Sequence, residues 1–230
     1  MTDSKKVLSG LAIGISIHLI AVVSAHLVKS ITANSVMAYV TVPLVDFVLA
    51  AAAIWSFVSK GAMQFQVRRV MLKPSVVAIL VTLVATFTMG VASRLLVTVL
   101  GFTYPQTTQV SFMTPLQVFL FIFVFGSIAE ETLFRGYVQR MLAPLKASGM
   151  QVLQVRLSLP VIISAVLFGL AHFSLLGRLS DMPHVTGIAA NATVMGLVAG
   201  YYQEKYDNFS YAALVHMAAN FPIVIMMLAA

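Results

Sequence analysis

Phe125-Gly126-Ser127-Ile128-Ala129-Glu130-Glu131-Thr132-Leu133-Phe134-Arg135 places two adjacent carboxylates and an arginine inside an apolar run over residues 115–141. Ionisable groups at membrane depth are expensive, so they persist where they pair, face a wet cavity or do chemistry. Two later apolar runs carry His172 and the pair His216 and Asn220. Three polar clusters on three hydrophobic stretches are the material for a hydrolytic site within a membrane.

The composition identifies lipid as the main solvent. Sixty per cent of the 230 residues are apolar and 9% are charged, with mean hydropathy +0.97; a soluble domain carries about 25% charged residues. Apolar runs of about 20 residues fall at 7–28, 36–58, 76–100, 115–141, 157–177, 185–203 and 210–229. The expectation is an all-α polytopic membrane helix bundle of about seven transmembrane helices. Residues 1–230 read as a single integral membrane domain, with the catalytic core over about 115–225. The start, Met1-Thr2-Asp3-Ser4-Lys5-Lys6 before Val7, imitates a signal peptide, but the apolar run and the spans after it favour a retained helix.

With no cysteine, disulfides and thiolate metal ligands are excluded. The net charge of +7 fits basic loops, and no aromatic-interleaved basic patch of the nucleic-acid kind occurs. Placing the N-terminus in the cytoplasm collects Lys5, Lys6, Lys60, Arg68, Arg69, Lys73, Arg140, Lys146, Arg156 and Lys205 inside, and leaves Lys29, Arg94 and Arg178 outside. This predicts an integral protein of a prokaryotic plasma membrane, its site opening toward the cytoplasmic half. Membrane lipids are the implied surroundings. The loop 59–75 reads as an ordinary positive-inside loop. Gly187, Ala189, Ala190, Gly196 and Gly200 make the sixth span one that packs closely within the bundle.

Residues four apart share a helix face. Glu131 and Arg135 therefore face each other, whereas Glu130 points to the side shared with Gly126 and Phe134. That divides the acids into a structural ion pair and a freer carboxylate able to take a proton from water. A purely structural salt-bridged cluster is the other reading of the three residues. His216 and Asn220, also four apart, offer two hydrogen-bond donors of the kind a developing oxyanion needs; helix–helix bonding is their other use. Asp46, central in the second span, reads as structural, paired with Arg94 or lining a water path, and His18 as a local hydrogen-bonder. His184, Asp181 and Arg178 read as a solvated outer turn.

Glu130-Glu131-x-x-x-Arg135, Phe168-x-x-x-His172 and His216-x-x-x-Asn220 together resemble the three-part signature of the CPBP family, which comprises the type II CAAX prenyl proteases and the bacteriocin-processing Abi proteins. The resembling segment covers about 115–225. The resemblance implies an intramembrane glutamic endopeptidase acting on a peptide or protein substrate, lipidated or not, near its terminus or processing site. By that analogy Glu130, assisted by His172, activates water, while His216 and Asn220 steady the oxyanion. Glu131, Arg135 and Phe168 then support the site, and no metal or other cofactor is required. The chain departs from prenyl-processing members, which commonly have an eighth span. The sequence leaves open the substrate and the oligomeric state.

Two other readings stay in view. Glu130, His172 and His216 could form a zinc site with an open fourth position, although no His-Glu-x-x-His pair occurs and Asn220 is a poor zinc ligand. A non-catalytic immunity or scaffold protein could use the same helices to bind a partner. A proton-coupled transporter predicts inverted repeats with broken helices, and no such pair is found.

Overall fold

The computed structural model describes residues 2–101, 110–176 and 181–229. Among them are seven principal helices: α1 (Asp3–Thr32), α2 (Ser35–Ser59), α3 (Leu72–Val99), α4 (Pro115–Met141), α5 (Leu159–Ala171), α6 (Met182–Tyr206) and α7 (Phe209–Ala229). A helix lies at each of the seven expected positions, and the all-α membrane bundle stands. Five of the helices, α1 to α4 and α7, are long and apolar enough to cross a membrane. The shorter α5 tightens at its end into a 3-10 turn, His172–Leu175.

Local signals set the helix starts. The Asn34 side chain accepts from the Met37 amide at 3.0 Å, Thr114 and Gln117 form a reciprocal capping box before α4, and Asp181 accepts from the His184 amide at 3.1 Å. Each satisfies a backbone donor that would otherwise be orphaned in a medium without water. Asp181 is thus a helix cap; Arg178 lies outside the described residues. The fifth span begins slightly later than its apolar run suggests. Residues 149–158 form a hairpin of β1 (Gly149–Val152) and β2 (Val155–Ser158), and Ser158 then caps α5.

On α1 and α3 small residues face inward and large ones outward. On α3 the buried positions are Ser75, Ala78, Thr82, Thr86, Ser93 and Val97, whereas Leu80, Val84, Phe87 and Leu95 are exposed. On α1 the buried stripe is Gly10, Gly14, Ile17, Ala21 and Ala25. Small residues on these two helices allow close approach, while the centre of the bundle is filled by large side chains such as Tyr137, Phe168 and Tyr211. Helix α4 packs against α1, α2, α5, α6 and α7, which places its carboxylates amid the bundle.

Basic residues from several elements gather at one end. Lys6 Nζ donates to the Ala62 carbonyl at 2.8 Å, and Arg140 Nη1 donates to the Gln64 carbonyl at 2.8 Å and to Asp207 Oδ1 at 3.2 Å. The α2–α3 connection is tied to the α6–α7 turn. Asn208 accepts from the Arg68 amide at 3.0 Å and donates to its carbonyl at 3.1 Å, and the Met71 amide donates to the Tyr211 hydroxyl at 3.1 Å.

The close packing of α6 is borne out residue by residue. A Cβ on Gly196 would collide with Arg135 Nη2 and meet Ala165 at 3.1 Å; one on Gly200 would lie 2.7 Å from Gln139 Oε1. Gln203 Nε2 donates to the Arg135 carbonyl at 2.8 Å, and Gln139 Nε2 to that of Gly200 at 3.1 Å. Gly196→Ala is therefore expected to destabilise the protein by about 1–3 kcal/mol. Gly90→Ala, whose Cβ would meet nothing within 4 Å, is expected to be neutral or stabilising by up to about 1 kcal/mol. Unfolding midpoints in detergent micelles check both; equal midpoints would refute the close-packing account.

Candidate active site

The acid pair rests on an unusual helix. In α4 a five-residue α-helical segment, Ser127–Glu131, lies between two π-helical stretches, Val118–Gly126 and Thr132–Val138. π-turns recur at functional sites because the extra residue per turn frees backbone groups and re-aims side chains. Here the Ile122 carbonyl accepts from Ser127 Oγ at 3.3 Å and from Asn220 Nδ2 at 3.5 Å. Gly126 fits the first wide turn because a Cβ there would lie 2.8 Å from the Phe121 carbonyl oxygen.

Glu131 and Arg135 are fully buried, and Arg135 Nη1 donates to Glu131 Oε1 at 3.0 Å, the pairing expected from their spacing. His216 joins them. Its Nδ1 lies 2.9 Å from the same Oε1, so one carboxylate oxygen ties α4 to α7. An ionised carboxylate only accepts, so Nδ1 is the donor. His216 Nε2 is left 3.9 Å from Glu130 Oε2. The division of labour is therefore finer than the sequence implied: Glu131 orients a histidine as well as the arginine.

Glu130 is the freer acid. Its side chain is 28% exposed, and among the described residues it makes no direct hydrogen bond to protein. It lines a cavity of about 70 Å³ with His172, Phe134, Phe168, His18 and Asp46. That is several times the ~15 Å³ a single water needs. His172 Nδ1 lies 2.9 Å from the Phe168 carbonyl. A carbonyl cannot donate, so Nδ1 carries the hydrogen and the neutral ring keeps its lone pair on Nε2.

Phe168 organises the site. Its ring meets those of Phe134, His172 and His216 edge-on at centroid distances of 5.0, 4.8 and 5.5 Å. The Arg135 guanidinium lies 4.6 Å from its centroid. One aromatic side chain thus separates the histidines and covers the cation.

Asn220 follows His216 by one turn, as its spacing requires, but its amide is engaged. Besides Ile122, Nδ2 donates to Ser127 Oγ at 3.1 Å, so both amide hydrogens point at protein acceptors. Ser127, fully buried, is a site residue the sequence reading passed over; its position one turn before Glu131 is the signal that could have found it. Asp46 finds His18, rather than Arg94, as its partner: His18 Nδ1 lies 3.1 Å from Asp46 Oδ2. The role of His18 is correspondingly long-range.

A second, larger cleft of about 670 Å³ runs beside the acid pair. Phe47 and Ile54 of α2, Ile128 and Thr132 of α4, and Leu214 and Met217 of α7 form much of its almost wholly apolar wall. Among the described residues no three His, Asp or Glu side chains converge as metal ligands.

Residues 112–222 match the family model described as type II CAAX prenyl endopeptidase Rce1-like. Neither the curated proteins nor the solved structures compared with the chain gave a match. The matched stretch holds both acids, Arg135, Phe168, both site histidines and Asn220. These residues meet in one bundle of apolar helices, and over residues 112–222 the chain is similar to the type II CAAX prenyl endopeptidase Rce1-like family.

Proposed function

We propose that the protein hydrolyses a peptide bond near the C-terminus of a membrane-associated, CAAX-type substrate, with a water nucleophile and no covalent intermediate. The observation that carries this reading is that Glu130 and His172 line one water-sized cavity, with His172 Nδ1 already committed to the Phe168 carbonyl. A water between them meets two acceptors, the Glu130 carboxylate and His172 Nε2. It donates both hydrogens and turns a lone pair toward the scissile carbonyl.

Attack forms the C–O bond and passes one water proton to Glu130. The carbonyl electrons move to oxygen, and His216 stands ready to meet that charge. Held through Nδ1 by Glu131, its ring turns Nε2 toward the oxyanion. Asn220 adds a second donor when its amide turns away from Ile122, the longer of its two contacts. Collapse breaks the C–N bond, and the proton on Glu130 passes to the leaving amine. The products are a free amine and a carboxylic acid, which still carries the second water hydrogen and gives it up to solvent as it ionises on release.

The apolar cleft beside α4 suits the lipid part of a prenylated substrate, being of the size that encloses a drug-sized ligand. The basic residues gathered at the Lys6–Arg140 end support a cytoplasmic N-terminus and a site reached from that half of a prokaryotic plasma membrane. Glu130 lies ten residues from Arg140, roughly 15 Å by helical rise.

Two experiments test the reading. Glu130→Gln is expected to lower kcat on a farnesylated CAAX peptide by about 10²–10⁴-fold while the protein stays folded. Glu131→Gln, by contrast, breaks a buried pair and is expected to destabilise the bundle by about 3–5 kcal/mol. Unchanged cleavage by folded Glu130→Gln, with membrane-protein termini in cells also unchanged, would favour a binding protein instead. Separately, cleavage is expected to survive chelation. Stoichiometric zinc in the purified protein, whose removal abolishes activity, would replace the glutamic mechanism with a metal-dependent one.

A further inference from the structure

His18 and Asp46 lie outside the family match, on the first two helices, yet both open into the cavity that holds Glu130 and His172. Asp46 is 1% exposed, and its Oδ2 lies 3.1 Å from His18 Nδ1. The other ring nitrogen, His18 Nε2, lies 3.3 Å from the Ala171 carbonyl. This carbonyl belongs to the peptide unit that joins Ala171 to His172, where α5 tightens into its 3-10 turn.

The donor assignment follows from the partners. A carbonyl only accepts, so Nε2 carries a hydrogen. The remaining Nδ1–Oδ2 bridge then holds one proton, whichever atom bears it. The imidazole is thus gripped at both ends and cannot exchange its two nitrogens without losing a bond. Its ring also stands 6.3 Å from Phe134, which packs against Phe168 and hence against the His172 ring. Two routes, one polar and one aromatic, run from α1 to the same histidine.

A polar pair used only to join α1 and α2 would need one hydrogen bond, between His18 and Asp46. The second, to the main chain of α5, is surplus to that task and falls on the peptide unit carrying His172. We propose that His18 and Asp46 form a positioning dyad that anchors the Ala171–His172 peptide and so aims His172 Nε2 at the water site shared with Glu130. This rests on the proposed role of His172. It makes the N-terminal helices part of the catalytic apparatus, acting through their hold on His172.

Four variants in the full-length protein test the dyad. His18→Phe removes both polar contacts, and Asp46→Leu removes the acceptor that fixes the ring. His18→Gln keeps a donor near the Nε2 position, and Asp46→Asn keeps a polar partner for Nδ1. Histidine NMR of isotope-labelled protein in detergent reads the His172 ring directly and requires no substrate. Cleavage of a farnesylated CAAX peptide reads kcat and KM.

The expected result is a shifted or exchange-broadened His172 signal in His18→Phe and Asp46→Leu, with kcat reduced roughly 10- to 100-fold and KM within about twofold. His18→Gln and Asp46→Asn should recover the signal and most of kcat. An unchanged His172 signal in folded His18→Phe or Asp46→Leu overturns the dyad, as does its loss in folded Asp46→Asn together with His18→Gln. Should the first two variants not fold, the conservative pair alone decides by the same signal. A wild type that fails to cleave the peptide speaks against the proposed function, whereas the NMR comparison still reads the dyad.

Discussion

A single carboxylate oxygen, Glu131 Oε1, holds the site together. It accepts from Arg135 within α4 and from His216 across to α7, in surroundings from which water is excluded. Around it the fold builds the compensation that a buried charge demands. Phe168 covers the guanidinium, Gly196 lets α6 come down onto it, and Gln203 of α6 binds the Arg135 carbonyl. Buried ion pairs are weak evidence of stability, since desolvation can outweigh attraction. What this one provides is direction: it fixes the angle of His216 and leaves the neighbouring acid, Glu130, unencumbered at the cavity.

The bundle also shows how a membrane protein spends its few polar residues. Ser75, Thr82 and Thr86 on α3 return their hydroxyls to carbonyls one turn back, needing no outside partner. Among the described residues, polar groups that reach across helices, such as His18, Asp46, Gln139, Gln203, Asn208, His216 and Asn220, gather at the site and toward the basic end. There they specify how one helix is set against another.

Much of this was legible in the sequence because hydrocarbon leaves few options. Apolar runs of the right length had to be helices, and Glu131 with Arg135 had to meet if that stretch was helical. The small residues at 196 and 200 marked α6 as an interior helix for the same reason. Less legible was anything that depends on how one helix is rotated against another. Asp46 and His18 are 28 positions apart, and Glu131 and His216 are 85 apart. No periodicity links such pairs. The engagement of Asn220 with Ser127 was hidden by the π-turns, which break the 3.6-residue frame on which the face argument was built. Even so, Glu130 keeps the open position that argument gave it, because Ser127–Glu131 is itself α-helical.

Those two wide turns have a consequence for the length of the chain. A π-turn accommodates one residue more than the α-turn it replaces, and each residue advances an α-helix by about 100°. Deleting one residue from Val118–Gly126 would therefore be absorbed locally: the wide turn closes to an α-turn, and the acids beyond it keep their phase. What the deletion takes away is the opening at which the Ile122 carbonyl meets Ser127 Oγ and Asn220 Nδ2. In α4, then, the wide turn holds a spare residue, and its effect is on which backbone groups stand free beside the acids rather than on where the acids point.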